Sequence, residues 1–238
     1  MKKTYIFLAM LVSCCFHTQI NLKIKLSGVD KTATESSYII QVNLQNTSED
    51  FIAIPIVLTR LKGYFVDERC VDRLNFRENK ILDFTAIVRY KGHKMDVVAA
   101  MSDIDQDEIA SRLKEIERLD LIKQSDLRNW MRTNNISNVN LAEINKILFE
   151  NILLLEPCEE ISYHIIFRPE SINCLECGLF YFYSLEENSE VDLSLLHCVD
   201  DSIYTYLTED QKKKLKRYKF FSGELLSNEI KLHYSSFY

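Results

Sequence analysis

Cysteine is the residue type with the widest choice of chemistry in this chain, and the seven present are unevenly spaced. Cys174 and Cys177 form a C-x-x-C pair, with His197-Cys198 downstream. Two thiolates plus a later His and Cys could surround a tetrahedral zinc, although the spacing lacks a second clean pair. A thioredoxin-like redox pair needs a helix start, where amide dipoles stabilise the thiolate. Here Cys177 runs directly into Gly178-Leu179-Phe180-Tyr181-Phe182, which reads as strand. The remaining reading makes Cys70, Cys158, Cys174, Cys177 and Cys198 disulfide-bonded or inert thiols. Compartment ranks the three: outside the cytosol, disulfides come first, metal second and redox catalysis third.

Other chemical signals are weaker. Asp103-Ile104-Asp105-Gln106-Asp107 opens like a calcium loop, but Glu108 and Lys114 stand where Gly and a bidentate Glu are required. Acids in the first turn of a helix explain the run better. His17, His93, His164, His197 and His233 fall in no H-E-x-x-H pattern, and neither a G-x-S-x-G elbow nor a phosphate-cradling glycine loop occurs. The sequence therefore assigns no catalytic residue, metal ligand or cofactor. Glu159-Glu160 and Glu186-Glu187 would form a hydrolytic dyad only through tertiary placement. The aromatic run Phe180 to Tyr183 could line a sugar platform, with core packing as its simpler role.

The N-terminus supplies the compartment. Met1-Lys2-Lys3 precedes an apolar run from Tyr5 to Val12, then Ser13-Cys14-Cys15. A positive region, a short apolar region and a small residue before a boundary make a secretion signal. The run is far below the ~20 residues of a membrane-spanning helix. Leu11-Val12-Ser13-Cys14 resembles the lipobox of bacterial lipoprotein signal peptides, with Val12 larger than usual and Cys15 unusual after the boundary. The resemblance implies a signal over 1–13, cleavage before Cys14, and lipidation of the Cys14 thiol and new amino group. Residues 14–19 would then be the tether. Because Asp does not follow Cys14, it also implies an outer-membrane address. Several acyl chains on one residue give a lasting anchor.

The body, residues 20–238, reads as one domain. Period-two alternation marks strands with one wet face at Ile20 to Leu26, Tyr38 to Gln45, Leu82 to Tyr90, Ile161 to Phe167, Val191 to Leu195 and Ile230 to Tyr234. Leu179 to Leu185 reads as a doubly buried run, and Pro55 places the Phe51 to Leu58 strand at an edge or bulge. Helical spacing takes over at Ile109, Leu113 and Ile116, then Leu127, Trp130 and Met131, then Leu141, Ile144, Leu148 and Ile152. Ser102 with Asp105, and Asn140 with Glu143, read as helix starts, and Glu156-Pro157 as the stop. A last short helix follows Thr208. The expected class is α+β, an antiparallel β-sandwich with a helical insert over about 102–155. The turn at Asn46 to Ser48 and the lead-in Leu155-Glu156-Pro157 resemble immunoglobulin-like modules of exported bacterial proteins. Cys158 stands where those modules often carry Gly, and the insert is foreign to them.

Charge narrows the partners. With 29 basic against 35 acidic residues, the chain repels phosphate backbones, so nucleic acid is not expected. The basic run Lys212, Lys213, Lys214, Lys216 and Arg217 reads as a solvated helix face. The leading expectation is a non-catalytic cell-envelope lipoprotein, held to the membrane by its anchor and binding an envelope protein or glycan. The alternatives are an envelope hydrolase with its site between sheet and insert, and a thiol or metal protein using Cys174 and Cys177.

Overall fold

The computed structural model describes residues 19–31, 36–67, 69–101, 106–174 and 179–235. Residues 1–13, Cys14, most of the tether, Ser102, Asp103, Asp105 and Cys177 lie outside the described residues. The chain is α+β and sheet-rich, mostly antiparallel, with a few helices.

The first sheet orders β1 (Ile20–Lys31), β2 (Ser36–Asn46) and β9 (Glu160–Phe167) as β1-β2-β9. Ile20, Leu22 and Ile24 of β1, Tyr38, Ile40, Val42 and Leu44 of β2, and Ile165 and Phe167 of β9 bury one face. Their polar alternates keep the other face wet, as at Gln41 and Ser162, whose side chains meet at 2.9 Å. The second sheet orders β14 (Gly223–Leu226), β12 (Ser189–Val199), β5 (Asp83–Tyr90) and β4 (Val57–Gly63). β15 (Ile230–Tyr234) shares the β14 edge of β12, and β6 (His93–Lys94) pairs with β5. Phe84, Ala86 and Val88 of β5 join Val191, Leu193 and Leu195 of β12 in one apolar cluster with the buried face of the first sheet. Asn228 ties the two sheets: its Oδ1 accepts from Ile24 N at 2.9 Å and its Nδ2 donates to Ile24 O at 3.0 Å.

Two smaller sheets complete the set. One orders β13 (Tyr218–Phe220), β3 (Phe51–Pro55) and β8 (Ile152–Leu155); the other orders β10 (Asn173–Cys174), β11 (Leu179–Phe182) and β7 (Val98–Met101). β3 with β13 and β4 with β5 are parallel, so the sheets are mixed rather than purely antiparallel.

Several expectations are corrected. β3 is a central strand, not an edge; Pro55 is tolerated because β13 stops opposite Ala53, so the missing amide breaks no ladder bond on that side. β5 lacks a wet face over its first six residues, since Asp83, Thr85 and Ile87 are as buried as Phe84, Ala86 and Val88. The aromatic run is only half-buried at Phe180, Tyr181 and Phe182, with Tyr183 alone fully inside. The insert holds one continuous helix of 29 residues, α2 (Gln106–Asn134), followed by α3 (Val139–Glu150). α3 is capped by Asn138 rather than Asn140, and ends before Ile152 to Leu155, which pair with β3 as strand. A four-residue aliphatic run satisfies helix and strand patterns equally, and only the open edge of β3 decides it.

α1 (Arg73–Asn79), unforeseen in the sequence, is capped by Asp72, whose Oδ1 accepts from Leu74 N and Asn75 N at 2.8 Å each. α4 (Glu209–Lys214) starts at Thr208 with a reciprocal Thr208–Gln211 capping box. With a 3-10 turn at Asp201–Tyr206, these helices form a second apolar cluster around Phe76, Leu82, Ile144, Leu148, Ile203 and Leu207.

Candidate functional site

The Cys70 and Cys198 sulfurs are bonded to each other, with Cα atoms 4.5 Å apart and a sequence separation of 128. The segment at Cys70 also runs alongside β12: Val71 N donates to Cys198 O at 2.9 Å and Asp200 N to Val71 O at 2.9 Å. Covalent bond and backbone bridge thus fix the loop leading from β4 to α1 onto the end of β12.

His197 and Cys198 do not act together. Successive strand residues point to opposite faces. The His197 ring packs edge-on to Phe84 at 5.8 Å, inside the molecule, and is 1% exposed. Burial pushes its pKa down to about 4, although the carbonyls of Pro55 and Asp83 favour the charged form. It is a neutral core histidine, and the zinc arrangement built on His197-Cys198 fails on geometry. Among the described residues, no three His, Cys, Asp or Glu side chains cluster to hold a metal. Cys158 is an exposed free thiol. His93, His164 and His233 face solvent. Glu159 accepts from Glu156 N at 2.6 Å, and Glu186 accepts from the Tyr90 hydroxyl, so one acid of each pair is held by a local hydrogen bond. Lys212 and Lys213 pair with Glu209 and Asp210 at 3.0 and 3.1 Å, an ordinary solvated helix face. Between α3 and the sheets, Ile144 and Leu148 pack against Leu82, Val199 and Ile203.

Two adjoining concavities lie beside the disulfide. A small recess of about 80 Å³ is lined by Cys70, Cys198, Lys62, Asp83, Thr85 and Glu224. Asp83 occupies an irregularity between β4 and β5, where the register slips from Val57 to Leu61. Its carboxyl is buried, and desolvation raises its pKa. Arg60, whose Nη2 lies 3.0 Å from Oδ1, pulls the other way.

The recess shares Lys62, Arg69 and Val71 with an open cleft of about 860 Å³. One wall is aromatic: Phe65, 44% exposed, meets Tyr181 of β11 edge-on at 5.5 Å. Another part of the lining is the polar side of α1, with Asn75, Glu78 and Asn79. Asp67 and Arg69 complete the rim. Tyr64 N donates to Tyr183 Oη at 2.9 Å, anchoring the loop after β4. Gly63 is required for close approach, because a Cβ there would lie 2.1 Å from Val97 Cγ1. Tyr181 was the single cleft residue the sequence marked out. The available signal for the rest was Asp83, a charge placed between Leu82 and Phe84 in an apolar strand.

A scan against protein-family models finds no match, and searches of curated proteins and of solved structures also find none.

Proposed function

We propose that this chain is a non-catalytic cell-envelope lipoprotein, tethered through lipidated Cys14 and binding an envelope component in the cleft beside Cys70–Cys198. In this reading the two larger sheets form an immunoglobulin-like sandwich, and the helical insert decorates it. The disulfide at the cleft rim carries the proposal. Thiol pairs persist as disulfides in oxidising compartments and are rare in the cytosol, which fits the export signal. The same bond fixes one wall of the cleft, which suits preorganised recognition. Support for the sandwich comes from the apolar cluster shared by the two sheets. Support for the immunoglobulin resemblance comes from Cys158, whose φ of 61° is the left-handed conformation a glycine would take.

The test is metabolic labelling of the full chain with a fatty-acid analogue, followed by fractionation. The wild type should carry label and sediment with envelope membranes, and Cys14→Ser should lose both. Unlabelled protein that retains Met1 and stays with cytosolic material would overturn the reading.

A further inference from the structure

We propose that the cleft beside the disulfide is a binding site for a neutral oligosaccharide. The inference rests on the reading of this protein as a binding module and names the ligand class for that same cleft. A pyranose ring offers two kinds of surface: a C–H face that packs on aromatic rings, and an edge of hydroxyls that donate and accept at once. The cleft offers both counterparts. Phe65 and Tyr181 form the aromatic wall, with the Phe65 ring substantially open to the cavity. Asn75 and Asn79 face it from α1 with carboxamides, which donate and accept in one plane.

Charge argues for neutrality. Lys62 and Arg69 are balanced by Asp67 and Glu78 around the cleft, and the adjoining recess adds Glu224 and Asp83, the latter paired with Arg60, so a polyanion gains no net attraction. Size agrees, since small-ligand sites span roughly 300–1,000 Å³ and the cleft holds about 860 Å³. At its inner end, the adjoining recess presents Asp83, a buried carboxyl able to accept from a sugar hydroxyl.

Full-length protein in a sugar-free detergent is titrated calorimetrically with chitotetraose, maltotetraose and cellotetraose. At least one should bind, with affinity changing less than about twofold between about 50 mM and 500 mM salt. Phe65→Ala, on an exposed loop side chain, should weaken that binding roughly fivefold to tenfold with the melting temperature held. Asn79→Ala, on the solvent side of α1, should weaken it roughly threefold to tenfold. Three results would each overturn the proposal: no binding of any probe at about 10 mM, binding untouched by both substitutions, or preferred binding of polygalacturonate with steep salt dependence. Sugar binding by a chain that carries no lipid label leaves the cleft assignment standing and removes the envelope reading. A labelled, membrane-bound chain that binds none of the probes does the reverse.

Discussion

Among the described residues two apolar clusters form, and they are built by different rules. The one between the two larger sheets is made of aliphatic and aromatic side chains contributed every second residue along long strands. The one among α1, α3, α4 and the 3-10 turn is smaller and threaded with polar groups. Trp130 Nε1 donates to Asn145 Oδ1 at 2.8 Å, and Asn145 Nδ2 donates to Tyr206 O at 2.8 Å and Gln211 Oε1 at 2.6 Å. Gln211 Nε2 returns to Asn145 Oδ1 at 3.0 Å and to Asn134 Oδ1 at 3.1 Å. The contrast follows from backbone chemistry. Strands satisfy their amides and carbonyls in ladders, leaving the space between sheets free for hydrocarbon. Short helices leave several backbone groups open at each end, so a core made where helices terminate must include side-chain partners.

Four measurements put that contrast to the test. Phe167→Ala, fully buried between the sheets, should cost about 3–5 kcal/mol in denaturant unfolding. A loss under about 1 kcal/mol would show that the sheets do not pack on it. Opening Cys70–Cys198, by reductant or by Cys70→Ser with Cys198→Ser, should cost about 2–5 kcal/mol, because the bond closes a long loop. Since it fixes the cleft rim to β12, sugar affinity should fall along with stability. Finding both thiols free before any reductant would count against the pairing, and an unchanged melting temperature after confirmed reduction would count against the bond's bracing the fold.

His197 gives the contrast a pH signature. Its folded pKa of about 4 lies below the ordinary 6.5, so the unfolded chain binds the extra proton between those values. Stability from the neutral ring is fully present above about pH 6.5 and is lost as pH falls toward 4, on the order of 3 kcal/mol in all. Asp83 has the opposite sign, its raised pKa adding stability as pH falls. Comparing wild type with His197→Met isolates the imidazole, and identical pH profiles would remove this account. The smallest effect is at the helical cluster: Asn145→Leu should cost about 2–3 kcal/mol by removing the partner of Trp130 Nε1 and of the Tyr206 carbonyl, while Gln211 keeps Asn134 and Thr208. A gain in stability would mean the amides serve specificity rather than strength.

The contrast also explains what was legible beforehand. β1, β2, β9 and β15 follow from alternation alone, because each has a dry face and a more open one, and β12 does so over its first residues, Ser189 to Leu193. Thr208 announced α4 through its capping chemistry. α1 was invisible, since Phe76 is its single buried residue and no stripe can form in seven positions. Ile152 to Leu155 read as helix because an aliphatic run has no period of its own. The cleft was nearly unreadable: Lys62, Phe65, Asn75 and Tyr181 come from three separate stretches of chain, and none has a local pattern that marks a site.

From sequence alone came the sheet-rich class, the expectation of oxidised cysteines and the acidic balance, because periodicity, spacing and charge are properties of neighbouring residues. Which cysteine meets Cys198, which face of β12 carries His197, and where a concave surface opens were decided by folding. Each depends on strands and loops far apart in the chain arriving at one place, and local chemistry does not encode such meetings.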